Sequence, residues 1–228
     1  MIVSVHIPKT GGRTFQQLLR KRFGPRLLED YGDWMDYGGP DAFAHNARRR
    51  QRLIAELDAT RSGYDAVHGH FRASKYLDLF PDAAAVCFVR DPWQHALSAH
   101  AQAQRLGETA PWPGEDPAVT RLRLRPMSLF EMVERFPNLQ SSYLAGVPLG
   151  RFAMVGLTER YDESLAAVSK LFALPLPAKV ERLNANPGRT RPAYDIDPET
   201  RRFIGRWNAA DVELYRQAQE RFDRLVKD

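Results

Sequence analysis

The densest run of chemistry-bearing residues is His6-Ile7-Pro8-Lys9-Thr10-Gly11-Gly12-Arg13-Thr14-Phe15. An apolar stretch ends at Ile7, a Gly-Gly turn follows, and a helical pattern begins near Thr14. That order brings backbone N–H groups together at a helix N-terminus, where the macrodipole also favours negative charge. Lys9 adds a full positive charge, and Thr10 and Thr14 add hydroxyl donors. The physics is that of a nucleotide-binding P-loop, although the lysine precedes the glycines and the Walker pattern is absent. A second cationic element, Arg90-Asp91-Pro92 followed by Ser98, comes directly after another apolar run. An arginine there can grip a phosphate through two parallel hydrogen bonds. A third group, His68-Gly69-His70-Phe71, sets two imidazoles one residue apart at the end of a strand-like run. In extended backbone both project to one side, and histidine is the side chain best suited to take a proton near neutral pH. No Cys, Asp or Glu at ligand spacing joins the histidines, so no metal is expected.

The elements that must position these groups are legible as hydrophobic patterns. Residues 2–7, 66–69, 84–89 and 152–157 are short, nearly continuous apolar runs, as expected of parallel strands buried on both faces. Between them lie segments of 3.6-residue periodicity marked by Phe15, Leu18 and Leu19, by Leu53, Ile54 and Leu57, and by Leu165, Val168, Leu171 and Phe172. Ser128-Leu129-Phe130-Glu131 reads as a capping box, and Asn208-Ala209-Ala210-Asp211 as the start of a last helix. Alternating strands and helices predict an α/β fold: a three-layer, P-loop-like domain with a mostly parallel central sheet flanked by helices. Residues 107–117 and 174–198 lack periodicity and read as loops, and neither separates two segments able to hold a core. One domain over 1–228 is the expectation. The carboxyl ends of such strands are where an open parallel sheet holds its ligand.

In this setting Pro-Lys-Thr-Gly-Gly-x-Thr-Phe after the first strand resembles the 5′-phosphosulfate loop of the sulfotransferases, most closely the carbohydrate branch related to heparan sulfate 2-O-sulfotransferase. Arg90-Asp91-Pro92 with Ser98 resembles the family's 3′-phosphate element. His68-Gly69-His70-Phe71 resembles the strand-end histidines of the 2-O enzymes, and Val155-Gly156-Leu157-Thr158-Glu159 a late strand and turn. Two positions depart from the pattern: Arg13 stands where Ser or Thr is frequent, and His95 where Arg is frequent.

The resemblance implies 3′-phosphoadenosine-5′-phosphosulfate (PAPS) as donor, adenosine 3′,5′-bisphosphate (PAP) as product, and in-line transfer of a sulfuryl group to an acceptor hydroxyl, on a carbohydrate or a small molecule. Lys9, Thr10, Gly11, Gly12, Arg13, Thr14 and Phe15 would hold the 5′-phosphosulfate, and Arg90 and Ser98 the 3′-phosphate. Asn184 and Arg189, in a stretch resembling a family loop that closes over the nucleotide, would complete the donor site. His70 would be the general base, with His68 orienting it or touching the acceptor, and Lys9 would stabilise the leaving group. Gln140, in Asn138-Leu139-Gln140-Ser141-Ser142-Tyr143-Leu144, would face the acceptor, and Glu159 would cap a helix or hold a basic group.

Composition narrows the alternatives. The 228 residues are 43% hydrophobic and 27% charged, with a net charge of +5 carried by 27 arginines against 6 lysines. An arginine excess suits recognition of planar anions. Arg48-Arg49-Arg50-Gln51-Arg52 reads as a solvated helix face. Arg121-Leu122-Arg123-Leu124-Arg125 would form a basic patch for an acidic acceptor in an extended segment, whereas on a helix its arginines would spread over the surface. Trp34, Trp93 and Trp112 read as core residues more than as sugar-stacking platforms. A single cysteine, Cys87, and the lack of a membrane-length apolar run or leader pattern suggest a reducing, cytoplasmic setting. A kinase reading lacks a Walker lysine and an acidic Mg²⁺ ligand. A non-catalytic anion-binding or nucleic-acid-binding module fits the charge but has no aromatic-interleaved basic strand or recognition helix.

Overall fold

The computed structural model describes residues 1–33, 40–60, 63–106, 127–176 and 193–227, with the side chains of 40–43, 56–60 and 106 left aside. In chain order the elements are β1 (Ile2–Val5), α1 (Gly12–Phe23), β2 (Leu27–Asp30), α2 (Pro40–Thr60), β3 (Ala66–Gly69), α3 (Ala73–Leu77), β4 (Ala84–Val89), α4 (Pro92–Leu106), α5 (Leu129–Arg135), α6 (Leu139–Leu144), β5 (Phe152–Leu157), α7 (Tyr161–Phe172), α8 (Pro198–Trp207) and α9 (Ala209–Leu225). The five strands form one parallel sheet in the order β2-β3-β1-β4-β5. Helices flank it, as the alternating pattern requires.

Three of the four expected strands carry the expected bounds; the first stops at Val5, two residues early. The fifth, β2, has the sequence LLED and shows only two apolar residues, too few to register as a strand. It pairs with β3 alone, Leu27 opposite Ala66 and Asp30 opposite Gly69. Gly69 is required there, because a Cβ would sit 1.7 Å from the Asp30 carbonyl oxygen. One sheet face carries Ser4, His68 and Phe88. The ring of Phe15 on α1 meets both His68 and Phe88, and Tyr161 of α7 packs on Phe88.

Helix starts follow two mechanisms. Ser128 and Glu131 form the expected capping box, with the Glu131 N–H donating to Ser128 Oγ at 3.2 Å and the Ser128 N–H donating to Glu131 Oε2 at 2.9 Å. Asn208 does not cap α9 with its own side chain. Its Oδ1 instead accepts the Asn138 N–H, and Asn138 Oδ1 in return accepts the N–H groups of Ala210 and Asp211. The cap is supplied from 70 residues away, which no local sequence pattern can show.

The arginine run on α2 is only partly a solvated face. Arg49 turns inward to Asp30 at 2.8 Å and Asp33 at 3.3 Å, and Lys75 of α3 meets both carboxylates at 2.6 Å. Among the described residues no helix is long and apolar enough to cross a membrane.

Candidate active site

Because every strand points the same way, five chain segments leave the sheet at one edge. His6 follows β1, Tyr31 follows β2, His70 follows β3, Arg90 follows β4 and Thr158 follows β5. Chain order reverses at β1, which has β3 on one side and β4 on the other. That is the place where an open parallel sheet leaves a crevice for a ligand.

The loop after β1 departs from ordinary backbone twice. Lys9 lies at φ 66° and Gly11 at φ 89°, both left-handed. For a lysine that region costs about 1 kcal/mol or more, so the surrounding structure must hold it there. Alternating right- and left-handed residues turn successive N–H groups toward one concavity. Gly12 admits no side chain, since a Cβ would fall about 2 Å from the ring of His6. Gly11 is the N-cap of α1 and offers no side-chain cap, so the N–H groups of Gly12 and Arg13 remain for a ligand. Thr10 and Thr14 are buried, and Thr10 Oγ1 donates to the Ile7 carbonyl at 2.8 Å. Phe15 is core, not surface.

The Lys9 ammonium has no anionic partner among the described residues. Burial and the nearby charges of Arg105, Arg90 and Arg13 push it down to about 8. A cation surrounded by cations is a site short of an anion.

Arg90 is 8% exposed and joins the two cationic elements. Its Nη1 donates to the Lys9 carbonyl at 3.2 Å, while its Nε stands 3.9 Å from Glu159 Oε1. Gln140 is completely buried and clasps the Arg90 backbone from both sides: Oε1 accepts its N–H at 2.8 Å and Nε2 donates to its carbonyl at 2.9 Å. Gln140 therefore does not face an acceptor; it fixes the turn that carries Arg90. Glu159 accepts the Asp91 N–H at 3.1 Å and the Tyr215 hydroxyl at 2.8 Å, so it braces the start of α4 from outside that helix. Ser98 lies two turns into α4 and is buried.

The histidines occupy two depths. His70 is half-buried, and its Nδ1–H donates to the His6 carbonyl at 2.7 Å. That bond fixes the tautomer and leaves the lone pair on Nε2. Burial pushes His70 down to about 4, against the upward pull of the His6 carbonyl, so the ring is neutral at pH 7. His68 is 1% exposed. Its Nδ1 bonds Ser4 Oγ at 2.7 Å, and its Nε2 is buried with no well-formed hydrogen bond among the described residues. Burial first, then the His70 ring, push it down to about 3. Both imidazoles stack on the ring of His6, at 5.0 Å from His68 and 4.4 Å from His70. The two do share one side, with His70 at the mouth and His68 buried beneath it. The same spacing serves surface and core because β3 runs out between positions 68 and 70.

Four further residues belong to the site, and three of them carry little sequence signal. His6 is buried and its Nδ1 meets the Tyr31 hydroxyl at 3.0 Å; Tyr31, 38% exposed, stands edge to face with His70, 4.7 Å between ring centroids. His95 on α4 donates from Nε2 to the Pro8 carbonyl at 2.9 Å, and burial pushes it down to about 4. Tyr161, at the first position of α7, donates to the Gly11 carbonyl at 2.6 Å. The signal for His95 was its departure from the family pattern; for Tyr31 and Tyr161 there was none. Trp93 packs its indole under Arg201, 4.1 Å from the ring, and donates to the Arg201 carbonyl. Asn184, Arg189, Trp34, Trp112 and the 121–125 arginines lie outside the described residues. No group of three or more metal-ligating side chains occurs among the described residues.

No model of a known protein family matches the sequence, and no curated protein matches it. Solved structures do. The chain is similar to a sulfotransferase from Alicyclobacillus acidocaldarius at 16% identity and a TM-score of 0.51, over 93% of this chain and 92% of that one. It also aligns with mouse sulfotransferase SULT7A1, solved in complex with PAP, at 12% identity and a TM-score of 0.39, over 90% of this chain and 62% of that one. At such identities the first likeness establishes a shared fold.

Proposed function

We propose that this chain is a PAPS-dependent sulfotransferase that transfers a sulfuryl group to a hydroxyl, on a carbohydrate, with His70 as general base. The observation that carries the reading is the junction of the two cationic elements. Arg90 touches the backbone of Lys9 across the crevice between β1 and β4, so one doubly anionic nucleotide can engage both. A nucleotide with phosphates at both its 5′ and 3′ ends meets that description.

In this reading the N–H groups from Thr10 to Thr14, with Lys9, receive the 5′-phosphosulfate, and Arg13 adds charge at the mouth. Arg90 and Ser98 receive the 3′-phosphate, and Asn184 and Arg189 close over the nucleotide. The acceptor oxygen attacks sulfur in line. Its bond to sulfur forms as the bond from sulfur to the bridging phosphate oxygen breaks, and PAP leaves with that electron pair. Lys9 and the loop N–H groups meet the charge that appears on the leaving phosphate, where fixed donors are most effective. His70 Nε2 takes the acceptor proton, its orientation held by the His6 carbonyl. His68 acts from below, through the stacked ring of His6. No step requires a metal.

Titration with PAP and with ADP, each without Mg²⁺, tests the donor assignment: PAP is expected to bind far more tightly. Preference for ADP would replace the reading with a phosphoryl-transfer one, and binding of neither would end it. Mass spectrometry of products formed from PAPS and a panel of sugars and small alcohols then identifies the acceptor.

A further inference from the structure

The loop between β1 and α1 has an accounting of its carbonyl groups that the nucleotide reading does not require. Six successive carbonyls, from His6 to Gly11, each accept a hydrogen bond from a side chain. His70 Nδ1 donates to His6, Thr10 Oγ1 to Ile7, His95 Nε2 to Pro8, Arg90 Nη1 to Lys9, Thr158 Oγ1 to Thr10 and Tyr161 Oη to Gly11. The distances run from 2.6 to 3.2 Å. Apart from Thr10, the donors come from the ends of β3, β4 and β5 and from α4 and α7, so the loop is held from several independent elements. Thr158 is shared with the Val89 carbonyl at 2.9 Å, which ties the loop to the end of β4. On the other side of the same peptides, the N–H groups of Lys9, Thr10, Gly11, Gly12 and Arg13 have no hydrogen-bond partner among the described residues.

We propose that His95, Thr158 and Tyr161 are positioning residues that anchor the loop carbonyls and so aim its N–H groups at the anion before any ligand arrives. Each peptide plane is rigid, so fixing its carbonyl fixes its N–H on the opposite side. A loop anchored this way also cannot swing a carbonyl, with its partial negative charge, toward the bound phosphate. The left-handed Lys9 sits between two anchored carbonyls, which explains how its strain is sustained. Preorganisation of this kind acts on ligand and leaving group alike, because neither has to reorder the loop.

The inference builds on the donor reading, and the test separates the two. Dissociation constants for PAP and for inorganic pyrophosphate are measured by calorimetry on the parent, Thr158→Val, Thr158→Ser, Tyr161→Phe and Lys9→Gln, each over a range of salt. Loss of one neutral hydrogen bond predicts about three- to tenfold weaker binding for Thr158→Val and Tyr161→Phe. Their salt dependence should match the parent because no charge is removed, and Thr158→Ser should restore parental affinity. Lys9→Gln should lower both affinity and salt dependence. Folded Thr158→Val and Tyr161→Phe proteins that bind within twofold of the parent overturn the proposal, as does a Thr158→Ser protein as weak as Thr158→Val. Should Tyr161→Phe not fold, the Thr158 pair decides alone. A parent that binds pyrophosphate but not PAP would remove the nucleotide reading and leave the anchoring to be judged on pyrophosphate. Binding of neither overturns both.

Discussion

At the scale of single residues, two groups carry opposite burdens. His70 must be neutral to accept a proton, and it is, since burial holds it near 4. Replacement by Ala should lower turnover by roughly 10²–10⁴ while PAP affinity falls by no more than about tenfold, because the ring gives the loop one carbonyl hydrogen bond and a stacking contact with His6. Parental turnover in that variant would remove His70 from the reaction. Lys9 must be charged, and it loses its proton at about 8 in the free protein. An anion bound beside it favours the protonated form and raises that value. PAP affinity should therefore be level between about pH 7, above the second ionisation of its phosphates, and about pH 8, and fall as pH rises further. A Lys9→Gln protein should bind more weakly and lack that alkaline decline; if the decline persists unchanged, another group is responsible. Both residues were legible in the sequence, since a lysine before a Gly-Gly turn and histidines at a strand end are local patterns. Tyr161 and the true task of Gln140 were not, because each acts across 50 residues or more on a backbone atom, and backbone atoms have no letter in a sequence. The role of His6 was not either, because its partners are the side chains of Tyr31, His68 and His70 on two other strand ends.

At the scale of elements, β2 shows how a strand too weak in pattern is secured by charge. Its end carries Asp30, which is buried with Lys75 and accepts the Tyr76 hydroxyl at 2.9 Å; Asp33 and Arg49 complete the group. Two carboxylates face one ammonium and one guanidinium, so the cluster is neutral overall. The salt-bridged cations hold Asp30 below the usual carboxylate range against its burial, whereas burial keeps Asp33 above it. Tyr31 lies between these two anchors, which is how an exposed ring is kept beside His70. Replacing Lys75 with Met should leave one uncompensated buried negative charge and cost about 3–5 kcal/mol, read as a lower urea midpoint at unchanged slope. A loss under 1 kcal/mol would show that water or rearrangement already serves these carboxylates. The strands buried in mid-sheet needed no such device, and their runs were readable for the same reason: burial on both faces demands continuous apolar residues. β5 is an edge strand too, but its residues are nearly all buried and its run stays apolar. β2 instead exposes Glu29 and buries Asp30 against charge partners, so its sequence is short and acidic.

At the scale of the whole molecule, the site imposes a cost in acid that the rest of the fold must carry. Four imidazoles sit below their ordinary value: His6 well below it, His68 about 3, and His70 and His95 about 4, each chiefly through burial. In the unfolded chain each titrates near 6.5, so below that pH the unfolded state binds protons the native state refuses. Stability is thus complete above about pH 6.5 and is lost as pH falls from there toward the folded values. Each group can contribute up to about 1.4 kcal/mol per pH unit in that window. Between pH 7.5 and 5.5 His68, His70 and His95 together reach about 4 kcal/mol, and His6 acts in the same direction, a sum comparable with the entire stability of many domains. The depressed carboxylates add nothing there, because their unfolded values lie near 4 and their losses begin lower. The melting temperature should therefore drop steeply between pH 7.5 and 5.5, and a His95→Gln protein should show a shallower slope than the parent. A melting temperature that stays flat across this window would mean that the imidazoles take up protons in the folded state, which would also deny His70 its neutral form at pH 5.5. The chemistry of the crevice and the acid limit of the fold then stand or fall on the same buried rings.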